Sequence, residues 1–250
     1  MKRYLIIFFA CVMSPLLVAQ DAMPFFDPNK LEEEEIYQFK VEYRVEAGFT
    51  QHWQHSLKKN KADMYLNGAR LGMTFDFMLP KRFSVQTGLL YTITYGTNTQ
   101  SFGITDAEES YAHGDNLTNR VTEHWFAVPI RAYYNIHVWK KLNLMLYTGP
   151  QLMIGLAQYN NVKNNMPPQQ TAFCQDMNIP TEPYDRYKEK ELYPVNIQWG
   201  VGMGIEWDCF RLYGGYDFGL NNQVRNKVVS NQHLWEWSWY VSFAYKLPIK

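Results

Sequence analysis

Once the first twenty residues are set aside, the sequence has no apolar run long enough to cross a bilayer as a helix, and its mean hydropathy is −0.38. A spanning helix needs about 18 to 20 such residues, so a helical membrane protein is excluded. An excess of one charge is also lacking: Lys plus Arg and Asp plus Glu both number 24. No net field draws the chain to nucleic acid, which is not expected as a partner. Zinc-site spacing, a phosphate loop, a dinucleotide fingerprint and a nucleophile elbow are all missing, and with them the enzyme classes they mark. Cysteine is scarce, at Cys11, Cys174 and Cys209.

Aromatic residues are plentiful, with 18 Tyr, 15 Phe and 8 Trp making 16% of the chain. Such residues favour strands and membrane interfaces. The start reads as a secretory leader over 1–20. Lys2 and Arg3 are its basic end, Leu5 to Val12 its apolar core, and Leu17 to Ala19 its small-residue exit, with cleavage expected near Ala19-Gln20. Cys11 comes too early and after too poor a box for a lipid anchor. Residues 21–38, with Glu32 to Glu35, read as a periplasmic lead-in.

From Phe39 to Leu247 the apolar residues recur with period two. The clearest runs are Phe83–Tyr95, Trp125–Ile136, Leu142–Leu156, Val195–Trp207, Phe210–Leu220 and Trp235–Leu247, and two earlier ones cover Phe39–Phe49 and Arg70–Leu79. The total is eight strands. Most exceed the length of about 5 to 6 residues common in soluble proteins and match the 9 to 11 of a tilted membrane strand. Their connections alternate long and short: Gln54–Asn67, Pro80–Arg82, Gly96–Arg120, His137–Lys141, Gln158–Leu192, Asp208–Cys209 and Asn221–Leu234. Bacterial outer-membrane barrels have that rhythm, with short periplasmic turns and long outer loops, whereas a soluble β-sandwich has no reason for it.

The fold expected is therefore all-β, an eight-stranded antiparallel up-and-down transmembrane β-barrel over 39–247, in the outer membrane of a Gram-negative cell. Cys174 and Cys209 then lie on opposite sides of the membrane, which argues against a disulfide between them. Aromatic girdles are expected from Phe83, Trp139, Trp207, Phe210 and Tyr245 near the short turns, and from Trp53, Tyr95, Trp125, Tyr159, Tyr193 and Trp235 near the long loops.

The strings GARLGMTFDFMLPKRFSVQTGLLYT (Gly68 to Thr92), FAVPIRAYYNI (Phe126 to Ile136), LNLMLYTGPQLMIGL (Leu142 to Leu156) and WGVGMGIEWDCFRLYGGYDFGLNN (Trp199 to Asn222) resemble the PorT-like outer-membrane β-barrel family. The resemblance covers most of Gly68 to Lys246. It implies an eight-stranded barrel in the outer membrane and, for the namesake, a part in protein secretion of the type IX kind. The chain departs from the usual barrel ending, since Lys246 to Lys250 follow the aromatic Tyr245.

On the inward faces stand Glu42, Arg44, Glu46, Arg70, Asp76, Arg131, Glu206, Arg211, Asp217 and Lys246, five acids against five bases. A barrel of eight strands is just wide enough for side chains to fill, so these are expected to pair as a plug. That argues against a general porin; a proton or ion path is the competing use. Ser110, His113 and Asp115, with His124 nearby, have the residue types of a hydrolytic site but no supporting spacing. His52 and His55 are candidate ligands at the outer rim, read more simply as solvated loop residues. Asn116-Leu117-Thr118 matches a glycosylation sequon without other support, and the loop Gln158–Leu192, with Pro167, Pro168, Pro180 and Pro183, reads as an exposed contact surface or a tolerated insertion.

No catalytic, cofactor or metal residue is assigned. The expected role is structural or interactive, with outer-membrane lipid around the barrel and envelope or secretion proteins at its loops. Two other classes remain: a lipid-modifying outer-membrane barrel enzyme, and a soluble exported β-sandwich.

Overall fold

Alternating strands joined by tight turns generate antiparallel neighbours in sequence order, and a computed structural model shows them doing so. It describes residues 40–56, 64–101, 116–166, 168–176, 180–225 and 233–248. The expected leader with Cys11, the lead-in 21–38, Phe39, and the candidates Ser110, His113 and Asp115 lie outside the described residues.

In chain order the elements are β1 (Lys40–Ser56), β2 (Met64–Met78), β3 (Phe83–Ser101), β4 (Asn116–Trp139), β5 (Leu142–Asn164), α1 (Pro168–Asp176), β6 (Tyr184–Asp185), β7 (Val195–Trp207), β8 (Phe210–Gly219) and β9 (Leu234–Lys246). Each long strand pairs with its predecessor, β7 pairs with β5, and β9 returns to β1 from Arg44↔Lys246 to Ser56↔Leu234. The eight long strands therefore close a ring, while the two-residue β6 adds only Tyr159↔Asp185 and Asn160↔Tyr184 at the edge of β5.

The eight expected strands are all present, but several run further towards the long connections than their periodic cores suggested. β1 continues to Ser56 rather than stopping at Phe49, and β4 begins at Asn116 rather than Trp125. The sequon Asn116-Leu117-Thr118 accordingly lies in a strand. The extra lengths are polar, so they show little hydrophobic period, and it is cross-strand pairing such as Thr97↔Arg120 that keeps them extended.

At the other end the turns are tight. Lys81 and Arg82 adopt positive φ, as do Lys140 and Asp208, the handedness that matches two-residue hairpins to the strand twist.

The burial pattern is inverted relative to a soluble protein. Leu71, Met73, Leu89, Ile130, Leu146, Ile197, Met203, Ile205, Leu212 and Phe243 face outwards and are exposed, while Arg44, Asp76, Gln86, Arg131, Arg211 and Asp217 are buried inside. Water would favour the opposite arrangement, so the outer surface fits a lipid environment. The girdle at the short turns is present: Trp139 is 67% and Trp207 64% exposed, with Phe83, Phe210 and Tyr245 beside them. Trp125 departs from that expectation. It points inwards and is fully buried, because the β4 face that carries Arg131 and Tyr133 carries position 125 as well.

Candidate functional site

The inward side chains form three successive layers between the short turns and the long connections. In the first, Arg44 binds Asp76 through Nε at 2.7 Å and Glu42 through NH2 at 2.7 Å, with Glu206 at 3.0 Å. Arg211 reaches Asp76 at 2.8 Å and Glu206 at 2.8 Å, and Lys246 lies 3.4 Å from Glu42. Gln86 donates to the second Asp76 oxygen at 3.0 Å and accepts from the Tyr133 hydroxyl at 2.7 Å.

In the middle layer Arg70 pairs with Glu46 at 2.9 Å, and its guanidinium lies 4.0 Å from the Tyr240 ring centre. Arg131 donates to Asp217 at 2.9 Å, to Gln151 at 2.8 Å and to the Tyr240 hydroxyl. Tyr133, Tyr147, Tyr213 and Tyr240 pack around these pairs as one buried cluster. Inward glycines make room for them: a Cβ at Gly202 or Gly215 would overlap the Tyr147 hydroxyl. The ten charges read from the sequence as a plug are thus brought together, each acid with a base.

The third layer, nearest the long connections, was missed in sequence. It contains His52 from β1, Glu123 from β4 and Glu236 from β9, all buried. His52 Nδ1 lies 2.7 Å from Glu236 Oε1 and 3.6 Å from Glu123 Oε2. Gln54 donates to Glu123 Oε1, Thr94 and Trp125 donate to Glu123 Oε2 at 3.2 and 3.3 Å, and Gln223 donates to Glu236 Oε2 at 2.7 Å. His52 is therefore no solvated loop residue, and it cannot share an ligand with His55. Three positions along a strand reverse the face, and His55 stacks on Trp237 outside, with ring centres 6.0 Å apart. His124 is outside as well, its Nδ1 2.6 Å from the Tyr91 hydroxyl, away from the buried carboxylates. The signal available in sequence was Glu236, on an inward face; Glu123 and His52 lay beyond the recognised strand cores.

The long connection after β5 is not simply an exposed loop, as its prolines suggested. Residues 158–164 belong to β5, α1 follows, and β6 then holds the returning chain against β5. Asp185 accepts from the Tyr187 amide at 3.0 Å, and Tyr193 N donates to Gln223 O at 2.8 Å. Tyr187 packs edge-on against Trp125 with ring centres 5.7 Å apart and over Gly155, where any Cβ would overlap its ring. Burial pushes its phenol well above the usual range. Cys174 sits in α1 and Cys209 in the β7–β8 turn, at opposite ends of the ring, and both are free thiols.

A closed ring with an apolar exterior and a polar, charge-paired interior is the arrangement of outer-membrane barrels. The model of the outer membrane protein beta-barrel domain family matches residues 18–225. The chain belongs to this family. Its place is the outer membrane. No curated protein matches the sequence. Among solved structures, the barrel resembles Neisserial surface protein A, at 10% identity and a TM-score of 0.44, covering 83% of this chain and 99% of that one. It also resembles Ail of Yersinia pestis, at 10% identity and a TM-score of 0.39 over 83% and 99% of the two chains. OprG of Pseudomonas aeruginosa is similar at 8% identity and 0.39, covering 84% and 97%.

Proposed function

We propose that this outer-membrane barrel is a non-enzymatic interaction component of the cell envelope, working through its long connections within a protein secretion assembly. The observation that carries the reading is the ordering of 180–194 on a barrel whose interior is filled. The layered ion pairs and tyrosines occupy the space a conduit would need. Meanwhile β6, the half-buried Tyr187 and the buried Leu192 hold the connection in one shape, presenting Glu182, Pro183, Lys188, Glu189 and Lys190 outwards. A loop ordered before it meets a partner loses less entropy on binding, which suits recognition. The secretion role rests on the resemblance of Gly68–Thr92, Phe126–Ile136 and the glycine-rich hairpin to PorT-like barrels.

The test is mild-detergent purification of the tagged protein from outer membranes with mass spectrometry of what accompanies it, using an unrelated eight-stranded barrel as control. A reproducible set of secretion proteins absent from the control is the expected result. Recovery of the barrel alone would overturn the assembly role.

A further inference from the structure

We propose that His52, Glu123 and Glu236 form a buried binding site for a divalent first-row transition-metal ion at the long-connection end of the barrel. Three strands supply one ligand atom each, and all three atoms lie within 4.8 Å of one another. Zinc bound at about 2.0–2.2 Å in tetrahedral geometry sets its ligand atoms about 3.4 Å apart. The 2.7 and 3.6 Å separations from His52 Nδ1 bracket that value.

Charge is the first argument. In the layer at the short turns Arg44, Arg211 and Lys246 face Glu42, Asp76 and Glu206, and in the middle layer Arg70 and Arg131 face Glu46 and Asp217. In the third layer two buried carboxylates have only His52 as a paired base among the described residues. Protonating His52 offsets one of them. A divalent cation with neutral His52 offsets both, and buried uncompensated charge is costly.

Unpartnered atoms are the second argument. His52 Nδ1 and Glu236 Oε1 face each other at 2.7 Å as an ion pair that lacks hydrogen-bond geometry. Gln158 stands directly opposite Glu123 on β5, fully buried, with both amide atoms unpartnered. Directly opposed residues place their Cβ atoms about 5 Å apart, so Gln158 offers a further oxygen to the same site. Buried polar atoms are rarely left so.

The surrounding bonds fit a ligand role. Gln223 takes Glu236 Oε2 and leaves Oε1 towards His52, while Gln54, Thr94 and Trp125 orient the Glu123 carboxylate. Such outer contacts orient ligands in metal sites. An imidazole with two carboxylates suits a transition ion better than Mg²⁺, which prefers oxygen ligands alone.

The experiment uses the full-length protein in detergent, stripped with EDTA and titrated with Zn²⁺, with Mg²⁺ in parallel. One Zn²⁺ per chain is expected. At a hundredfold excess over Kd the melting temperature rises by about 5–10 °C. His52→Asn and Glu236→Gln each weaken binding by about 100-fold or more, whereas His55→Ala, altered on the outer face, binds as the parent does. Wild-type stoichiometry is decisive even where a variant fails to fold. Absence of stoichiometric binding, an equal response to Mg²⁺, or loss of binding through His55→Ala overturns the site.

Discussion

Arg131 and Asp217 stand 86 positions apart and meet inside the barrel, the guanidinium donating to both carboxylate oxygens at 2.9 and 3.0 Å. Their strands, β4 and β8, are not neighbours in the ring, so this pair spans the lumen. Removing one member leaves the other charged and buried. Arg131→Ala is expected to destabilise the barrel by about 3–5 kcal/mol, seen as a lower temperature for loss of its folded electrophoretic form. Replacing both Arg131 and Asp217 with leucine should recover much of that loss. An unchanged melting temperature in Arg131→Ala would falsify the plug.

Met203 lies midway along β7, 62% exposed on the outer face. In water, Met203→Arg would change stability by no more than about 0.5 kcal/mol, as surface substitutions do. Near the middle of a bilayer it costs about 2–4 kcal/mol. Unfolding in lipid vesicles is expected to show the larger value, and the smaller one would point to the soluble sandwich.

Gly202 and Gly215 sit beneath the Tyr147 hydroxyl, with no space for a Cβ. Gly202→Ala is expected to cost about 1–3 kcal/mol through overpacking. Tyr147→Leu in the same chain should relieve part of it. Thermal melting of the single and double variants checks both statements.

Tyr187 fastens the long connection to Trp125 and Gly155. Losing the ring removes at least ~1.4 kcal/mol from the closed form, which raises the open population about tenfold. Tyr187→Ala is expected to speed trypsin cleavage at Arg186 and Lys188 by that factor while the ring stays folded. Equal nicking rates in the two proteins would show that the connection is not held there.

Period two, turn length and the inward placement of the ten paired charges were legible from sequence because they are local. A residue's face follows from its parity, and a two-residue link such as Asp208-Cys209 forces its strands to be neighbours. Even there the bulge in β5 lay hidden, where Leu156 is skipped between His124↔Ala157 and Trp125↔Gly155, since one extra residue changes pairing without changing composition.

The pairing between layers was decided only by closure. Parity puts Glu236 inside, but what it meets depends on where β9 docks on β1 and how far β4 continues past its apolar core. The register Gln54↔Glu236 sets Glu236 two residue pairs beyond His52↔Ser238, so the two side chains meet on the same inner face. Glu123 reaches them from β4, with β2 and β3 between it and β1. Sequence specifies which face a side chain takes through the two-residue repeat of the strand. Which charges share a layer is fixed by the stagger of the closed ring, a property no single segment carries.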